Sequence, residues 1–388
     1  MAVIVIEHGP GGKPALFRRP QALFVAQAAS EVAPVLAAAE AARAGGAYVA
    51  GYIAYEAGLA MEPRLAGLMP EGRRGPLVCL ASFEAPEEAH TVLAQAAAEG
   101  ADARLAPLVP LVGRAEYGAA FARVKAYIAA GDCYQINLTF PMESRLSGAG
   151  ALGLYGALRA RQGVGYGAFV DLGVGPVIVS RSPELFFRVL DGVIESRPMK
   201  GTAPRSDDPV EDAMLAAELR ASDKAQAENL MIVDLLRNDI ARISAVGSVK
   251  VPELFAVESF ATVHQMSSRV QGRLLGGAGL PEGKVGLPDL MTALFPCGSV
   301  TGAPKIRAME IIREVQPAPR GVYCGAVGWA GPDGAQCWSV AIRTLRIWPD
   351  GEVLLNVGGG VVHDSTENGE WEEALWKARY AQGLVSRG

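Results

Sequence analysis

The sequence predicts an α+β fold built mainly from antiparallel sheets. Several strand-like segments are followed directly by other strand-like segments, which is unlike the regular helix alternation of a doubly wound parallel sheet. Half of the 388 residues are hydrophobic and a fifth are charged, a composition typical of a globular chain with a large core. The net charge is −5 and no basic stripe is present, so nucleic acid is not an expected partner. No stretch reaches the ~18 uncharged apolar residues that a membrane-spanning helix requires.

Residues 1–110 form the first of two predicted regions. Within it, residues 47–56 and 77–83 are apolar runs bounded by turn-forming residues, and each predicts a strand. An alanine-rich, acidic stretch that contains Pro107 and Pro110 follows them and predicts a boundary before Gly113. The second predicted region spans residues 114–384.

Periodicity in the second region predicts both helices and strands. A helical pattern covers residues 114–130 and stops at Gly131, a residue type favoured just after a helix. A longer helical pattern covers residues 209–237, and a final one covers residues 368–384. The predicted strands are residues 135–142, 168–180, 341–347 and 353–357.

Neither the cysteines nor two glycine-containing loop motifs predict a functional site. The five cysteines are odd in number and widely spaced, which favours reduced thiols in the cytoplasm over disulfides or a zinc site. Residues 148–153 have the glycine spacing of a dinucleotide loop, but no buried strand precedes them. Residues 278–285 match a phosphate loop only in part and are predicted to form a surface loop.

Lys200 is the first candidate catalytic residue. It lies in a Pro- and Gly-rich segment, between Pro198 and Gly201, and is predicted to be held on a turn. A lysine becomes a nucleophile or a base when desolvation or neighbouring cations lower its pKa, and Arg197 and Arg205 are candidate neighbours. The alternative is a solvated loop lysine without a chemical role.

Acidic residues on two predicted helices form a candidate metal site. Glu228 lies within the long helical pattern, and Glu370 and Glu373 are three residues apart near the end of the chain, so both point from one helix face. A few carboxylates together with water and a substrate anion suit Mg²⁺. The alternative is a solvated acidic face.

Further segments of the sequence contain residues of the types that bind anions. Three consecutive glycines can present converging N–H groups, although a tight turn is the simpler interpretation. Arg343 lies in an otherwise apolar predicted strand, where a carboxylate is its natural partner. Residues 297–305 are predicted to open a helix, whose N-terminus attracts anions. These patterns predict an enzyme that binds a small carboxylate substrate.

Five motifs in order resemble the chorismate-utilising enzymes. They are residues 181–186, 198–205, 228–239, 298–305 and 358–360, and the resemblance covers residues 114–384. Residues 1–110 resemble the more variable N-terminal region of anthranilate synthase component I, most clearly at residues 51–58. The resemblance implies a two-lobed α+β fold with mainly antiparallel sheets flanked by helices.

Within that family, the resemblance gives Lys200 a selective role. Members that form anthranilate or isochorismate usually carry alanine at this position, whereas lysine marks those that convert chorismate and ammonia to 4-amino-4-deoxychorismate for p-aminobenzoate and folate. The implied partner is a glutamine amidotransferase subunit that delivers the ammonia. Residues 162–166 also differ from the Asn-Pro-x-Pro-Tyr motif of tryptophan-binding relatives. The alternatives are anthranilate synthase component I and a catalytically silent subunit that binds chorismate or serves as a scaffold.

The resemblance also implies roles for individual residues. Lys200 would attack C2 of chorismate, Glu184 would act as general acid and base, and Mg²⁺ would be held by Glu228 and Glu373 with Glu370 nearby. The residues implied to bind the two substrate carboxylates are Gly201, Thr202, Tyr323, Arg343, Gly358, Gly359 and Gly360. His264 and Thr301 are implied to line the same site.

Overall fold

Strands and α-helices contribute equally to the regular structure of the described residues. The computed structural model of the protein describes residues 2–260, 263–276 and 285–384, so the loop predicted at residues 278–284 lies outside the described residues. In chain order the strands are β1 (Val3–Ile6), β2 (Ala15–Arg18), β3 (Ala22–Ala26), β4 (Tyr48–Ile53), β5 (Val78–Phe83), β6 (Glu87–Glu88), β7 (Arg104–Leu105), β8 (Val109–Pro110), β9 (Gln135–Ser147), β10 (Tyr166–Asp171), β11 (Val177–Ser182), β12 (Leu185–Leu190), β13 (Val193–Ser196), β14 (Met199–Pro204), β15 (Lys250–Ser259), β16 (Val263–Arg273), β17 (Gly302–Ala303), β18 (Ala326–Ala330), β19 (Gln336–Val340), β20 (Thr344–Ile347) and β21 (Glu352–Val361).

Helices cover the sheets and connect their strands. They are α1 (Val32–Ala44), α2 (Ala57–Met61), α3 (His90–Gly100), α4 (Arg114–Ala129), α5 (Ala151–Arg161), α6 (Pro209–Ala221), α7 (Asp223–Ala241), α8 (Leu287–Leu294), α9 (Lys305–Val315) and α10 (Glu367–Ala378). Short 3₁₀ turns include Gly298–Val300 and Arg379–Ala381. Along the stretches that the structure describes, no helix combines the length and the hydropathy needed to cross a membrane.

Within the described residues the strands form one sheet of eleven strands and one of ten. The first runs in the order β17-β9-β21-β20-β11-β10-β1-β2-β6, with β7 and β8 also paired to β9. The second runs in the order β14-β16-β13-β12-β19-β18-β4-β5-β3, with β15 beside β16. Neighbouring strands pair in antiparallel register throughout, which confirms the predicted α+β fold.

The two sheets share a hydrophobic core. Phe17 on β2 of the first sheet and Phe83 on β5 of the second are both fully buried, and their ring centroids lie 5.4 Å apart. Strands from residues 1–110 enter both sheets, because β1 pairs with β10 and β4 pairs with β18. The division into regions at residues 1–110 and 114–384 stays a prediction about the chain, since the sheets themselves combine strands from both.

Two long predicted elements are each divided in the structure. The predicted strand 168–180 is a hairpin of β10 and β11, and positive φ angles of 71° at Gly173 and Gly175 allow the turn. The predicted helix 209–237 is divided at Ser222, whose extended backbone ends α6 and whose hydroxyl accepts a hydrogen bond from Ala225 N at 3.3 Å. A serine cap therefore begins α7 where periodicity alone predicted continuation.

Three predicted boundaries near the candidate site also differ. The strand predicted at 341–347 begins only at Thr344, because Arg343 has a φ of 50°. The helix predicted to open at residue 297 begins at Lys305, after a 3₁₀ turn and the short strand β17. The predicted helix 368–384 ends as α10 at Ala378 and continues only as a 3₁₀ turn. By contrast, α4 ends beside Gly131 as predicted.

Candidate active site

A cavity of about 530 Å³ opens where β14, the end of β21, α7 and α10 meet. All but two of the predicted site residues line this cavity, although the chain separates them widely. Those that line it are Glu184, Lys200, Gly201, Thr202, Glu228, Tyr323, Arg343, Gly358, Gly359, Gly360, Glu370 and Glu373. The fold thus brings the predicted amine, acids and anion-binding groups into one space of a size typical for small-molecule sites.

Lys200 lies on the edge strand β14 and not on a turn. The pairing of β14 with β16 is irregular between Met199 and Thr202, and Gly201 has a φ of 79°. A bulge of this kind redirects the side chain that it carries. Lys200 faces the cavity, and its Nζ lies 3.1 Å from the point where a Cβ on Gly360 would sit.

The surroundings of Lys200 lower the pKa of its amine. Burial lowers the pKa of Lys200 below the usual lysine value, because the ammonium loses solvation. The carboxylate of Glu228 opposes this shift, whereas the positive charge of Lys377 adds to it. The amine is therefore available as a nucleophile at a lower pH than an exposed lysine.

The cations predicted to act on Lys200 are engaged elsewhere. Arg197 binds Glu253 at 2.8 Å, and Arg205 binds Asp212 at 2.8 Å. Both arginines lie outside the cavity lining, because their acidic partners hold them on other surfaces. The prediction that they neighbour the amine is wrong, and Lys377 supplies that charge instead.

Glu184 is the most enclosed acid of the cavity. It lies between β11 and β12, is 6% exposed, and its Oε1 accepts a hydrogen bond of 2.6 Å from Ser299 Oγ. Burial raises the pKa of Glu184, while the Ser299 hydrogen bond and the charge of Lys200 oppose the rise. The carboxyl group consequently keeps its proton to higher pH than an exposed glutamate, as a general acid requires.

Two helices carry the three glutamates of the candidate metal site. Glu228 lies on α7, and Glu370 and Glu373 lie on one face of α10. Ser365 Oγ donates a hydrogen bond of 2.6 Å to Glu370 Oε1, and Lys377 Nζ lies 2.7 Å from Glu373 Oε1. As these side chains stand, no group of three or more His, Cys, Asp or Glu residues in the described parts of the chain is arranged to hold a metal ion.

The donor set nevertheless fits magnesium. A Cβ on Gly359 would lie 2.7 Å from Glu370 Oε2 and 3.6 Å from Glu373 Oε1, so both carboxylates of α10 converge on the same glycine. Glu228 faces the same cavity from α7. Mg²⁺ takes one or two carboxylates and completes its shell with water and substrate oxygens, which is the type of donor that these glutamates offer.

The two glutamates of α10 differ in acidity. Burial raises the pKa of Glu370, and the hydrogen bond from Ser365 offsets part of this rise. At Glu373 burial acts in the same direction, but the charge of Lys377 and its hydrogen bond outweigh it and lower the pKa. Glu373 is therefore the more readily ionised of the two.

Gly358, Gly359 and Gly360 lie within β21 and do not form a turn. They pair with Thr139, Leu138 and Asn137 of β9. A Cβ on Gly359 would lie only 2.7 Å from Glu370 Oε2, and a Cβ on Gly360 would lie 3.0 Å from Gln135 Cδ. The glycines therefore keep this part of the cavity wall flat, so that the acids and Lys200 can approach the backbone.

Several of the predicted carboxylate-binding residues surround the same space. Arg343 lies between β19 and β20, and burial lowers the pKa of its guanidinium. Tyr323 is 5% exposed and lines the cavity. Gln265 Nε2 donates to Gly201 O at 2.6 Å, and Thr202 Oγ1 donates to Gln265 Oε1 at 3.0 Å, so Gln265 fixes the segment that follows Lys200.

His264 and Thr301 do not line the cavity, contrary to the prediction. Side chains alternate along β16, so Val263 and Gln265 face the cavity while His264 faces away. Its ring nitrogens lie 2.8 Å from Ser259 Oγ and 2.9 Å from Asp212 Oδ1. Thr301 Oγ1 turns back to donate to Cys297 O at 3.1 Å.

Sequence reasoning assigned no role to Ser299, Lys377, Gln265 or Lys224, although all four line the cavity. Ser299 lies inside one of the quoted motifs, and Lys377 lies four residues after Glu373, which is the helical spacing of an ion pair. Lys377 and Lys224 change the charge of the site: the cavity lining holds four basic residues (Lys200, Lys224, Arg343 and Lys377) and four glutamates (Glu184, Glu228, Glu370 and Glu373).

Comparison with known proteins identifies the family. The profile of the chorismate binding enzymes matches residues 4–383, nearly the whole chain. The chain belongs to the chorismate binding enzyme family. Solved structures with the same fold include anthranilate synthase component I from Streptococcus pneumoniae, which is 25% identical with a TM-score of 0.77 over 98% of this chain and 92% of the other. Isochorismate synthase DhbC from Bacillus anthracis is 22% identical, with a TM-score of 0.76 over 99% of this chain and 95% of the other.

Members of this family that are similar in sequence have two different names. Aminodeoxychorismate synthase component 1 from Klebsiella aerogenes is 44% identical over 266 residues, 69% of this chain and 57% of the relative. The Escherichia coli K12 protein of the same name is 45% identical over 267 residues, 68% of this chain and 56% of the relative. Anthranilate synthase component 1 from Streptomyces coelicolor is 42% identical over 273 residues, 70% of this chain and 52% of the relative. The chain thus spans little more than half the length of these relatives, and identity alone does not separate the two reactions.

Proposed function

We propose that this protein converts chorismate and ammonia into 4-amino-4-deoxychorismate, the activity of an aminodeoxychorismate synthase component I. The observation that carries the proposal is Lys200, a half-buried amine with a lowered pKa that shares a cavity with a buried acid, Glu184, whose pKa is raised. Opposite shifts of this kind are typical of a nucleophile and a general acid that work together. The relatives named for this activity, at 44% and 45% identity, support the same assignment.

The first chemical step uses both groups. The neutral Lys200 amine forms a bond to ring C2, both ring double bonds shift by one position, and the bond from C4 to its hydroxyl breaks. Glu184 donates the proton with which the hydroxyl leaves as water. The products of this step are a secondary ammonium adduct on Lys200 and the carboxylate of Glu184.

The second step restores the enzyme. Ammonia forms a bond to C4, the double bonds shift back, and the bond between C2 and Lys200 breaks, so that lysine leaves as a neutral amine. Glu184 accepts a proton from the new ammonium group at C4 and returns to its acid form. The net reaction replaces the hydroxyl by an amino group and releases one water molecule.

The remaining cavity residues would bind the substrate's two carboxylates. Arg343 and Tyr323 offer side-chain donors, and the backbone along Gly358–Gly360 allows close approach of an anion. Glu228, Glu370 and Glu373 would hold Mg²⁺, which when bound would withdraw electron density through a substrate carboxylate. With Lys200 neutral and Glu184 protonated, the three remaining basic and three remaining acidic residues of the lining cancel, so one divalent cation matches the charge of a dianionic substrate.

We also propose a partner subunit, a division of the chain into two regions, and a cellular location for this protein. Ammonia would come from a glutamine amidotransferase subunit in a heterodimer, as the name component 1 of the relatives suggests. Residues 1–110 would form the N-terminal region and residues 114–384 the chorismate-binding catalytic region. The five cysteines are all buried thiols without disulfide partners, which supports a cytoplasmic location. The proposed product would serve p-aminobenzoate and folate synthesis, as the family resemblance implies.

Anthranilate synthase component I is the second candidate, because relatives of that name reach 42% identity. Incubation of the purified protein with chorismate, Mg²⁺ and ammonium separates the two candidates. We expect 4-amino-4-deoxychorismate, which becomes p-aminobenzoate only after a lyase is added. Fluorescent anthranilate in the absence of a lyase would reject the proposal. A silent chorismate-binding subunit would give neither product.

We expect Glu373→Ala to lose magnesium-dependent turnover without unfolding. The substitution removes the more acidic carboxylate of α10 from the metal site, so the Mg²⁺ concentration for half-maximal rate should rise by at least about tenfold. Glu372→Ala, on the same helix but outside the cavity lining, is the matched control and should behave as the native protein. An unchanged magnesium response in Glu373→Ala would show that this glutamate is not a ligand.

We expect kcat/KM, measured at constant free ammonia, to show a bell-shaped dependence on pH. The reactive form combines a neutral Lys200 with a protonated Glu184. Because the pKa of Lys200 is lowered and that of Glu184 is raised, the two apparent pKa values of the profile should lie closer together than those of an exposed lysine and an exposed glutamate. A profile whose limbs fall at the unperturbed values would contradict the assigned roles.

A further inference from the structure

Lys377 bridges α10 and β21 at the candidate metal site. Its Nζ lies 2.7 Å from Glu373 Oε1 and donates a hydrogen bond of 2.9 Å to Gly358 O. The side chain is 34% exposed and lines the cavity. One ammonium group thus connects a predicted metal ligand with the glycine segment opposite.

This ion pair has a second anchor that an ordinary i, i+4 pair on a helix lacks. A glutamate and a lysine four residues apart on a helix surface commonly pair, but such pairs are weak and mobile in solvent. Here the hydrogen bond to Gly358 fixes the ammonium from a second element, and Glu373 faces the cavity. The pairing therefore occupies the carboxylate that a metal ion would need.

We propose that Lys377 is an internal counter-ion that competes with Mg²⁺ for the Glu373 carboxylate. The inference rests on the magnesium site of the proposed function. An ammonium at 2.7 Å and a directly bound dication cannot share one carboxylate oxygen, because their charges repel at such short range. Coordination of a metal ion through Oε1 of Glu373 therefore requires Lys377 to leave that oxygen.

Replacement of the Lys377 ammonium by Mg²⁺ at Glu373 would couple binding of the metal to binding of the anionic substrate. Lys377 lines the same cavity as Arg343, so an ammonium released from Glu373 would be a second cation near a substrate carboxylate. The metal replaces the lost partner of Glu373 and adds net positive charge. Bound Mg²⁺ thus prepares the site for a dianion through Lys377 as well as through its own charge.

Lys224 provides a matched control. It also lines the cavity and also lies four residues from a predicted metal ligand, but its Nζ is 4.0 Å from Glu228 Oε1 and its side chain is 64% exposed. Removal of either lysine deletes one positive charge near the metal site. Only removal of Lys377 also frees a carboxylate that the ammonium holds by a close hydrogen bond.

The test compares metal affinity in the full-length native protein, Lys377→Met and Lys224→Met. Mn²⁺ binding is followed by the electron paramagnetic resonance signal of the free ion, and Mg²⁺ binding by its displacement of Mn²⁺. We expect Lys377→Met to bind both ions about tenfold more tightly than the native protein, the equivalent of one charge-assisted hydrogen bond. We expect Lys224→Met to change the affinity by about twofold or less, as for an exposed pair.

Three outcomes overturn the inference, and they have different meanings. Equal or weaker metal affinity in Lys377→Met, with native binding intact and circular dichroism unchanged, rejects the competition alone. An equal gain in both variants shows that only general charge repulsion operates. Absence of metal binding in all three folded proteins rejects the magnesium site of the proposed function together with the inference.

Discussion

Replacement of Lys200 by alanine is expected to lower the rate of 4-amino-4-deoxychorismate formation by ~10⁴-fold or more, the scale of loss when a covalent nucleophile is removed. The variant keeps the cavity and Glu184 but has no group that can form the bond to C2. The measurement is single-turnover product formation from chorismate with Mg²⁺ and saturating ammonium.

The control for this experiment is Lys250→Ala, which removes an exposed lysine on β15 and should leave turnover unchanged. Appearance of anthranilate in Lys200→Ala is compatible with the account, because alanine is the usual residue in relatives that form anthranilate. Amination at C4 at the native rate in Lys200→Ala would contradict the role of the amine as nucleophile.

Replacement of Glu184 by glutamine is expected to lower kcat by ~10³-fold, within the usual range for loss of a general acid and base. Glutamine retains the size of the side chain and can still accept the hydrogen bond from Ser299, so the cavity should remain intact. It cannot transfer a proton to the departing hydroxyl or take one from the incoming amine.

Two further measurements make the Glu184→Gln result specific. The descending limb of the pH profile should disappear, while the ascending limb from Lys200 should persist. Ser299→Ala, which removes only the hydrogen bond to Glu184, should cost far less activity and raise the pKa that Glu184 contributes to the profile, because that hydrogen bond holds the pKa down. A glutamine variant that retains both limbs and most of its rate would show that another group transfers the proton.

The sequence predicted the local elements and the chemical residue types well. Helix α4 and its end beside Gly131, and strands β4 and β5, follow from apolar periodicity and from glycine placement. Glu370 and Glu373 share a face because helical spacing requires it. Family resemblance then supplied the fact that no local pattern contains, namely that Lys200, Glu184 and α10 line one cavity.

The remaining features depend on contacts between distant segments. The hydrogen bond from Ser299 to Glu184 joins residues 115 positions apart, and the bond from Lys377 to Gly358 joins a helix to a strand. The direction of His264 depends on the register of β16, since a shift by one residue would turn it into the cavity. Periodicity also could not show that Ser222 ends one helix and caps the next, because a cap depends on the backbone conformation at one residue.

Covalent capture of chorismate by Lys200 is the central claim, and peptide mass spectrometry tests it most directly. The protein is mixed with chorismate and Mg²⁺ without ammonia, quenched within a single turnover, and digested. We expect the peptide containing Lys200 to gain the mass of chorismate less one water, and added ammonium to remove this adduct as product forms. Full product formation after ammonium is added, with no earlier adduct or with an adduct on a different residue, would contradict the role of Lys200 as the nucleophile.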